Sequence, residues 1–155
     1  KRGVIAMARE GDDVNPEKKS SSSQFYLVVG KVFTDEELNK LEDKLNKKLR
    51  EKTEKKLYDS LLGSQSNLNP KFLNQVTQKV SILADSIMNV KHIKFNENQR
   101  KIYTTVGGIP HLDGNYTVFG EIVEGYDVVE KISQVQTDSN DRPLKDIKFK
   151  VRIVK

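Results

Sequence analysis

The sequence lacks cysteine and tryptophan altogether, and it has only two histidines, His92 and His111, among its 155 residues. Without cysteine, the chain forms no disulfide and offers neither a thiolate zinc site nor a cysteine nucleophile. The two histidines lie 19 residues apart, which disfavours a histidine-rich metal site. The composition therefore predicts a protein without a bound metal or cofactor.

Long apolar runs are absent as well. No stretch approaches the roughly 18 consecutive apolar residues of a membrane-spanning helix. Apolar residues make up 35% of the sequence and charged residues 32%, which is typical of a water-soluble chain with a modest core. The sequence opens with Lys1-Arg2-Gly3 rather than with an initiator methionine or a signal-type apolar segment. We interpret it as a fragment or a processed chain of about one domain.

Positive charge is concentrated in the middle of the chain. Lys and Arg total 27 against 22 Asp and Glu, a net charge of +5. Residues 43–94 hold 11 basic and 5 acidic residues, whereas the rest of the chain holds 16 basic and 17 acidic residues. The excess of positive charge therefore lies in residues 43–94. The run from Lys44 to Lys56 contains no aromatic residues of the kind that single-strand binders interleave with basic ones, which favours a solvated helix face. We therefore disfavour nucleic acid as a partner. Nucleic-acid binding is the weakest of the three functions that we consider for this sequence.

The two ends of the chain have the periodicity of β-strands. Their apolar and β-branched runs are short, and the last one alternates strictly between apolar and polar residues. Predicted strands cover residues 3–8, 24–33, 116–123 and 147–154, with short helices near 97–103 and 126–132. The ends therefore predict a mostly antiparallel β domain.

The middle of the chain has the periodicity of α-helices. Leucines recur at three- and four-residue spacing after Thr34 and Glu37, which form a typical capping box. Asn69-Pro70 is a typical start for a second helix. The pattern predicts helices over 35–62 and 70–88, joined by a polar Gly-Ser loop into an antiparallel hairpin.

A short oxygen-rich run, Asp138, Asn140 and Asp141, lies near the carboxyl end. Calcium loops of the helix–loop–helix kind need an internal glycine and a terminal glutamate. Because the run has neither at the required place, a turn is the favoured interpretation.

Two motifs are more specific than any fold class. One is Ser-Ser-Gln-Phe-Tyr-Leu at residues 22–27, and the other is His-Leu-Asp-Gly-Asn-Tyr-Thr-Val-Phe-Gly at residues 111–120, followed by Gly125 and Val128-Val129. They closely resemble the Ser-Gln-Phe-Phe and Leu-Asp-Gly…Val-Phe-Gly…Gly-x-x-Val-Val signatures of the cyclophilin family of peptidyl-prolyl cis-trans isomerases. Met7-Ala8 is similar to the Met-Ala that precedes the family's long loop. The His and Tyr at 111 and 116 look like those of a bacterial branch.

The resemblance implies a fold that is mainly β, a partial antiparallel barrel with short helices, interrupted by the helical hairpin and α+β overall. It implies a cyclophilin-like β domain at 1–42 and 95–155, incomplete at its N-terminus, and a helical insertion at 43–94. The family's N-terminal half, with the arginine most tied to catalysis, has no counterpart in this sequence. The catalytic residue is therefore unknown.

The same resemblance implies a substrate-binding site. Tyr26 and Leu112, with Met7 as a third candidate, would form a pocket for the proline ring. The implied peptide contacts are Gln24 with the backbone at Ala8 and Arg9, and the implied rim residues are His111 and Tyr116. No metal ligand is implied.

The resemblance further predicts an enzyme that isomerises X-Pro bonds in proline-containing polypeptides and so assists protein folding. The alternative is a cyclophilin-like peptide-binding or chaperone module with little or no turnover. Incomplete strand pairing predicts that the chain binds a missing N-terminal segment or associates with itself. Export to a bacterial cell envelope is favoured over the cytoplasm, because relatives in this branch are often exported.

Overall fold

The computed structural model describes residues 1–63 and 69–153, which divide into two compact units. The first unit is Lys1–Val32 with Val106–Lys155, and the second is Phe33–Thr105. The strands are β1 (Val4–Met7), β2 (Phe25–Leu27) and β3 (Val118–Glu121), and the α-helices are α1 (Asp35–Leu62), α2 (Pro70–Lys91), α3 (Glu97–Thr105) and α4 (Tyr126–Ser133).

The first unit is built on a three-stranded antiparallel sheet in the order β2-β1-β3. Ala6 pairs with Tyr26 and Met7 pairs with Phe25, so alternate residues of β1 and β2 share a face of the sheet. A register shift between Ile5 and Ala6 interrupts the pairing of β1 with β3. The buried residues Val4 and Ala6 belong to the same face as Tyr26.

Two glycines allow the loop before β3 to approach the end of β2. Lys31 forms an isolated antiparallel bridge with Gly108. A Cβ on Gly30 would lie 2.4 Å from the Gly108 carbonyl oxygen, and one on Gly107 would lie 2.5 Å from the Lys31 carbonyl oxygen. Both glycines also have a positive φ, which residues with a side chain rarely adopt. The loop that carries the second motif is thereby held beside the strand that carries the first.

The second unit is a helical hairpin with α3 packed at its open end. Leu38, Phe95 and Tyr103 form its buried cluster, with Phe33, Leu41 and Leu45 around it. The Asn46 side chain of α1 accepts a hydrogen bond from the Ile93 N–H at 2.8 Å and donates one to the Ile93 carbonyl oxygen at 2.9 Å. These two bonds fix the segment that leaves α2.

The predicted helices of the hairpin are confirmed, and α2 extends three residues beyond the prediction. Thr34 and Glu37 form the expected capping box, and Asn69 caps α2 through the Phe72 N–H. The contacts of Asn46 with Ile93 and of Arg50 with Asp85 show that α1 and α2 run antiparallel. Most of the predicted Gly-Ser loop lies outside the described residues. None of the described helices has the length and apolar character that crossing a membrane requires.

The prediction of a mainly β fold is wrong, because close to half of the chain is helical. The helices contain 28, 22, 9 and 8 residues, whereas the strands contain 4, 3 and 4. The described part of the predicted strand 147–154 forms no strand, and Phe149 is 78% exposed there. An alternating sequence becomes a strand only when a neighbour accepts its hydrogen bonds. The sheet is consequently open and not a barrel.

We predict that Arg100→Ala lowers the free energy of unfolding by about 2 kcal/mol, because it leaves the Glu42 carboxylate without its charged partner. Arg100 donates to Glu42 at 2.9 Å and to Asn39 at 2.8 Å, and the two charged side chains are only 23% and 12% exposed. Urea unfolding followed by circular dichroism measures the change. Arg50→Ala is the matched control, since its pairs with Glu54 and Asp85 are more exposed. An equal loss in both variants would contradict the prediction.

Candidate functional site

A small cavity lies against the face of the sheet that carries Val4, Ala6 and Tyr26. Its volume is about 80 Å³. The lining residues come from the sheet, from the chain terminus and from the loop before β3, and they are Lys1, Val4, Ala6, Tyr26, Val28, Ile109, Leu112, Asp113, Gly114, Tyr116 and Val118. Three predicted site residues, Tyr26, Leu112 and Tyr116, are thus brought to one cavity although they come from distant parts of the chain.

Two tyrosines meet edge to face at this cavity. The ring centroids of Tyr26 and Tyr116 are 5.4 Å apart and the ring planes are 88° apart, a favourable arrangement for aromatic pairs. Burial, and secondarily the neighbouring Tyr116 phenol, raise the pKa of Tyr26 above its usual value. Tyr26 is therefore a neutral phenol at physiological pH and adds no charge to the cavity.

Arg9 also contacts Tyr116. The guanidinium carbon lies 5.0 Å from the centroid of the Tyr116 ring. The Arg9 Nε donates to the Asn115 carbonyl oxygen at 2.8 Å, and a terminal nitrogen forms an ion pair with Asp12 at 2.9 Å. The resemblance predicts a role for the backbone at this position. It does not predict the side-chain contacts with Asn115 and Tyr116, because these join residues more than 100 positions apart.

The other predicted contacts lie around Tyr26. The Ala8 N–H donates to the Gln24 carbonyl oxygen at 2.9 Å, and the Ala8 carbonyl oxygen accepts from the Ser21 N–H at 2.8 Å. These bonds place the exposed Gln24 beside the end of β1. His111 is exposed on the short 3-10 turn Pro110–Leu112, adjacent to Leu112. The sheet register places Met7 opposite Phe25, on the face away from Tyr26.

A larger apolar groove of about 810 Å³ also borders Tyr26. It is lined by Ala8, Ser23, Gln24, Phe25, Tyr26, Leu27, Ile132, Ile147, Phe149 and Val151. Phe25 meets Phe119 edge to face, with centroids 6.1 Å apart. Tyr26 therefore lines both the small cavity and the larger groove. The alternation of apolar and polar residues at 147–154 explains why Ile147, Phe149 and Val151 share this second surface.

The oxygen-rich run near the carboxyl end is arranged as a turn. The Asp138 carboxylate accepts hydrogen bonds from the backbone N–H groups of Asn140 and Arg142, at 2.8 and 3.0 Å. Among the described residues, no three His, Cys, Asp or Glu side chains converge as metal ligands would.

Part of the chain matches a known protein family. Residues 86–153 match the family model described as cyclophilin type peptidyl-prolyl cis-trans isomerase/CLD. The matched segment contains the 111–120 motif, which supplies Leu112 and Tyr116 to the cavity.

Individual relatives have the same family name. A peptidyl-prolyl cis-trans isomerase of Arabidopsis thaliana is 29% identical over 87 residues, which are 56% of this chain and 53% of the relative. One from Dictyostelium discoideum is 31% identical over 87 residues, 56% of this chain and 55% of the relative. A longer isomerase of Arabidopsis thaliana is 47% identical over 54 residues, 35% of this chain and 9% of the relative.

The chain matches about half the length of the first two cyclophilin-type relatives. No solved structure matches the chain at a significant level.

We predict that raising the pH above about 10 destabilises the wild-type protein more than a Tyr26→Phe variant. The folded state raises the pKa of Tyr26, so the unfolded state releases this proton first and stability falls as the pH rises. Urea unfolding at pH 9, 10 and 11 measures the difference. The two proteins differ only at this phenol, so the difference between their pH dependences reports the Tyr26 phenol. Parallel pH dependences of the two proteins would refute this assignment.

Proposed function

We propose that the protein is a peptidyl-prolyl cis-trans isomerase that acts on proline-containing polypeptides and assists their folding. The observation that carries the proposal is the convergence of Tyr26, Leu112 and Tyr116 on one small cavity. Its support is that two of these residues lie in the segment that matches the cyclophilin family model, and that relatives are named as such isomerases.

The reaction needs no covalent step. Rotation about an X-Pro bond is opposed by amide resonance, with a barrier of about 18–20 kcal/mol. A catalyst accelerates it by binding the twisted amide more tightly than the planar one. In our proposal Tyr26 and Leu112 hold the proline ring. Gln24 and the backbone at Ala8–Arg9 bind the flanking peptide, while His111 and Tyr116 form the rim.

The alternative is a peptide-binding module with little turnover. A donor close to the prolyl nitrogen would help the amide to lose its conjugation. The Arg9 guanidinium beside Tyr116 is already bonded to the carbonyl oxygens of Glu10 and Asn115 and to Asp12. This favours binding without rapid isomerisation, and the catalytic donor stays unassigned.

We predict that Tyr26→Ala and Gln24→Ala each lower kcat/KM for isomerisation of an Ala-Pro peptide about tenfold, which corresponds to about 1.4 kcal/mol of transition-state binding. Tyr26 lines the cavity and Gln24 lies exposed beside it, so we expect the fold to persist. A coupled or spectroscopic isomerisation assay gives the rates, and circular dichroism checks the fold.

Lys131→Ala is the control for that assay, because Lys131 is exposed and pairs only locally with Asp127 in α4. If the wild-type chain binds the peptide without accelerating isomerisation, the binding module is the correct function. If Tyr26→Ala has wild-type rates, the cavity is not the substrate site.

We also propose that a second copy of this chain covers the apolar groove when the chain is alone in solution. Phe25 and Phe119 are each more than half exposed on the sheet. In the described sheet, β2 and β3 each pair only with β1, so both have an open edge, which is a template for further strand pairing. The competing occupant of the groove is a separate polypeptide. It would correspond to the half of the relatives that this chain does not match.

We predict that light scattering of the purified 155-residue chain gives a mass at least twice that of the monomer. Phe119→Lys should reduce this association, because a charge would enter the buried face of the assembly. Val14→Lys is the matched control, since Val14 is an exposed apolar residue of the loop between β1 and β2. A monodisperse wild-type monomer would contradict self-association and leave the competing occupant to be sought.

The bacterial branch and the cell envelope remain proposals. They are supported by the residue types of His111 and Tyr116 and are compatible with the absence of cysteine. The relatives described above come from a plant and a slime mould.

A further inference from the structure

The Arg9 side chain is unusually well enclosed for a residue in a polar loop. It is 8% exposed, and its polar contacts lie on several sides. Its Nε donates to the Asn115 carbonyl oxygen at 2.8 Å, and its terminal nitrogens contact the Glu10 carbonyl oxygen and the Asp12 carboxylate, each at 2.9 Å. The guanidinium also faces the Tyr116 ring at 5.0 Å.

These contacts join the loop after β1 to the turn before β3. Neighbouring bonds reinforce the junction: the Lys18 Nζ donates to the Asn115 Oδ1 at 2.6 Å, and the Ser20 hydroxyl bonds to that of Thr117 at 3.1 Å. The Arg9 guanidinium contacts the Tyr116 ring itself. The Lys18 and Ser20 bonds are made to the two neighbours of Tyr116 in the chain, Asn115 and Thr117. The guanidinium therefore supports the ring directly.

Tyr116 transmits this constraint to the cavity. Its ring contacts Tyr26 at 5.4 Å and 88°, and both tyrosines line the cavity. We propose that Arg9 is a positioning residue, whose side chain holds Tyr116 edge-on to Tyr26 and so shapes the cavity for a proline-containing peptide. The peptide as ligand rests on the proposed function, whereas the position of the ring does not.

Lysine cannot replace arginine in this role. The guanidinium is planar, offers several donors in fixed directions and stacks on aromatic faces. Arg9 uses these properties together, since it faces a ring while Nε and two terminal nitrogens bond in different directions. A lysine ammonium can keep the ion pair with Asp12 but has no Nε–H for the Asn115 carbonyl oxygen. We therefore expect Arg9→Lys to keep the positive charge but no longer to hold the Tyr116 ring in position.

Arg2 provides a matched control in the same unit. Its guanidinium lies 5.3 Å from the Tyr126 ring centroid, its Nε donates to the Val29 carbonyl oxygen at 3.0 Å, and it pairs with Glu130 at 3.8 Å. Like Arg9, Arg2 thus contacts an aromatic ring, a carbonyl oxygen that is distant in sequence, and a carboxylate. None of these partners lines the cavity, so Arg2→Ala should reproduce a structural loss without disturbing the cavity.

The first measurement is the nuclear Overhauser effect between the Tyr26 and Tyr116 rings in the full chain. We expect it to be present in the wild type and in Arg2→Ala, and to be lost in Arg9→Ala and strongly reduced in Arg9→Lys. If Arg9→Ala does not fold, Arg9→Lys decides the outcome. An unchanged ring contact in the folded Arg9 variant would overturn the proposal.

The second measurement is peptide affinity. The protein has no tryptophan, so a short Ala-Pro peptide that carries one reports binding by its own fluorescence. We expect the Kd to rise about tenfold in Arg9→Ala and Arg9→Lys and to stay unchanged in Arg2→Ala. Loss of the ring contact with unchanged affinity would overturn the role of Arg9 in binding. If the wild type binds no peptide, the proposed function fails, and the ring contact alone then decides whether Arg9 positions Tyr116.

Discussion

The pairing of β1 with β2 on one side and β3 on the other is the constraint on which the candidate site depends. β2 carries Tyr26, and the loop before β3 carries Leu112 and Tyr116. These segments are separated by the whole helical unit in sequence, and the two ladders of β1 bring them within contact distance. The close approach of Gly107 and Gly108 to Lys31 adds a second junction between the same segments.

The sheet unit carries two surfaces of different character. One is a cavity of about 80 Å³ with tyrosine rings and a polar rim, and the other is an apolar groove of about 810 Å³. In the proposed function, the cavity and its edge-to-face tyrosine pair bind one proline ring. An exposed apolar groove of the larger size is typical of a surface that another polypeptide covers. The two surfaces therefore call for different partners.

The helical unit is stabilised by a different kind of interaction. Polar side chains of α1 bind backbone and charged groups of the segments that follow α2: Asn46 binds Ile93, and Glu42 binds both Phe95 and Arg100. These bonds surround the buried cluster of Leu38, Phe95 and Tyr103. The hairpin thus has its own core and its own polar clamps, and none of its described residues lines the cavity or the groove.

The local sequence determined the elements whose stabilising bonds are local. Thr34 with Glu37 and Asn69 with Pro70 identified the helix starts, because a cap is satisfied within one turn. The family resemblance, and not a local pattern, groups Tyr26, Leu112 and Tyr116 as candidate site residues, and all three line one cavity. In contrast, the described residues of the strand predicted at 147–154 form no strand. The alternation of apolar and polar residues predicts which face of a strand would be buried, but a strand also needs a neighbouring strand to pair with.

Only the tertiary structure decided the contacts of Arg9, the place of Met7 behind the sheet, and the division of the apolar residues between two surfaces. Each depends on which distant segments pair and in which register. A single sequence specifies local hydrogen bonds directly, but it specifies those between residues 9 and 115 only through the folded sheet.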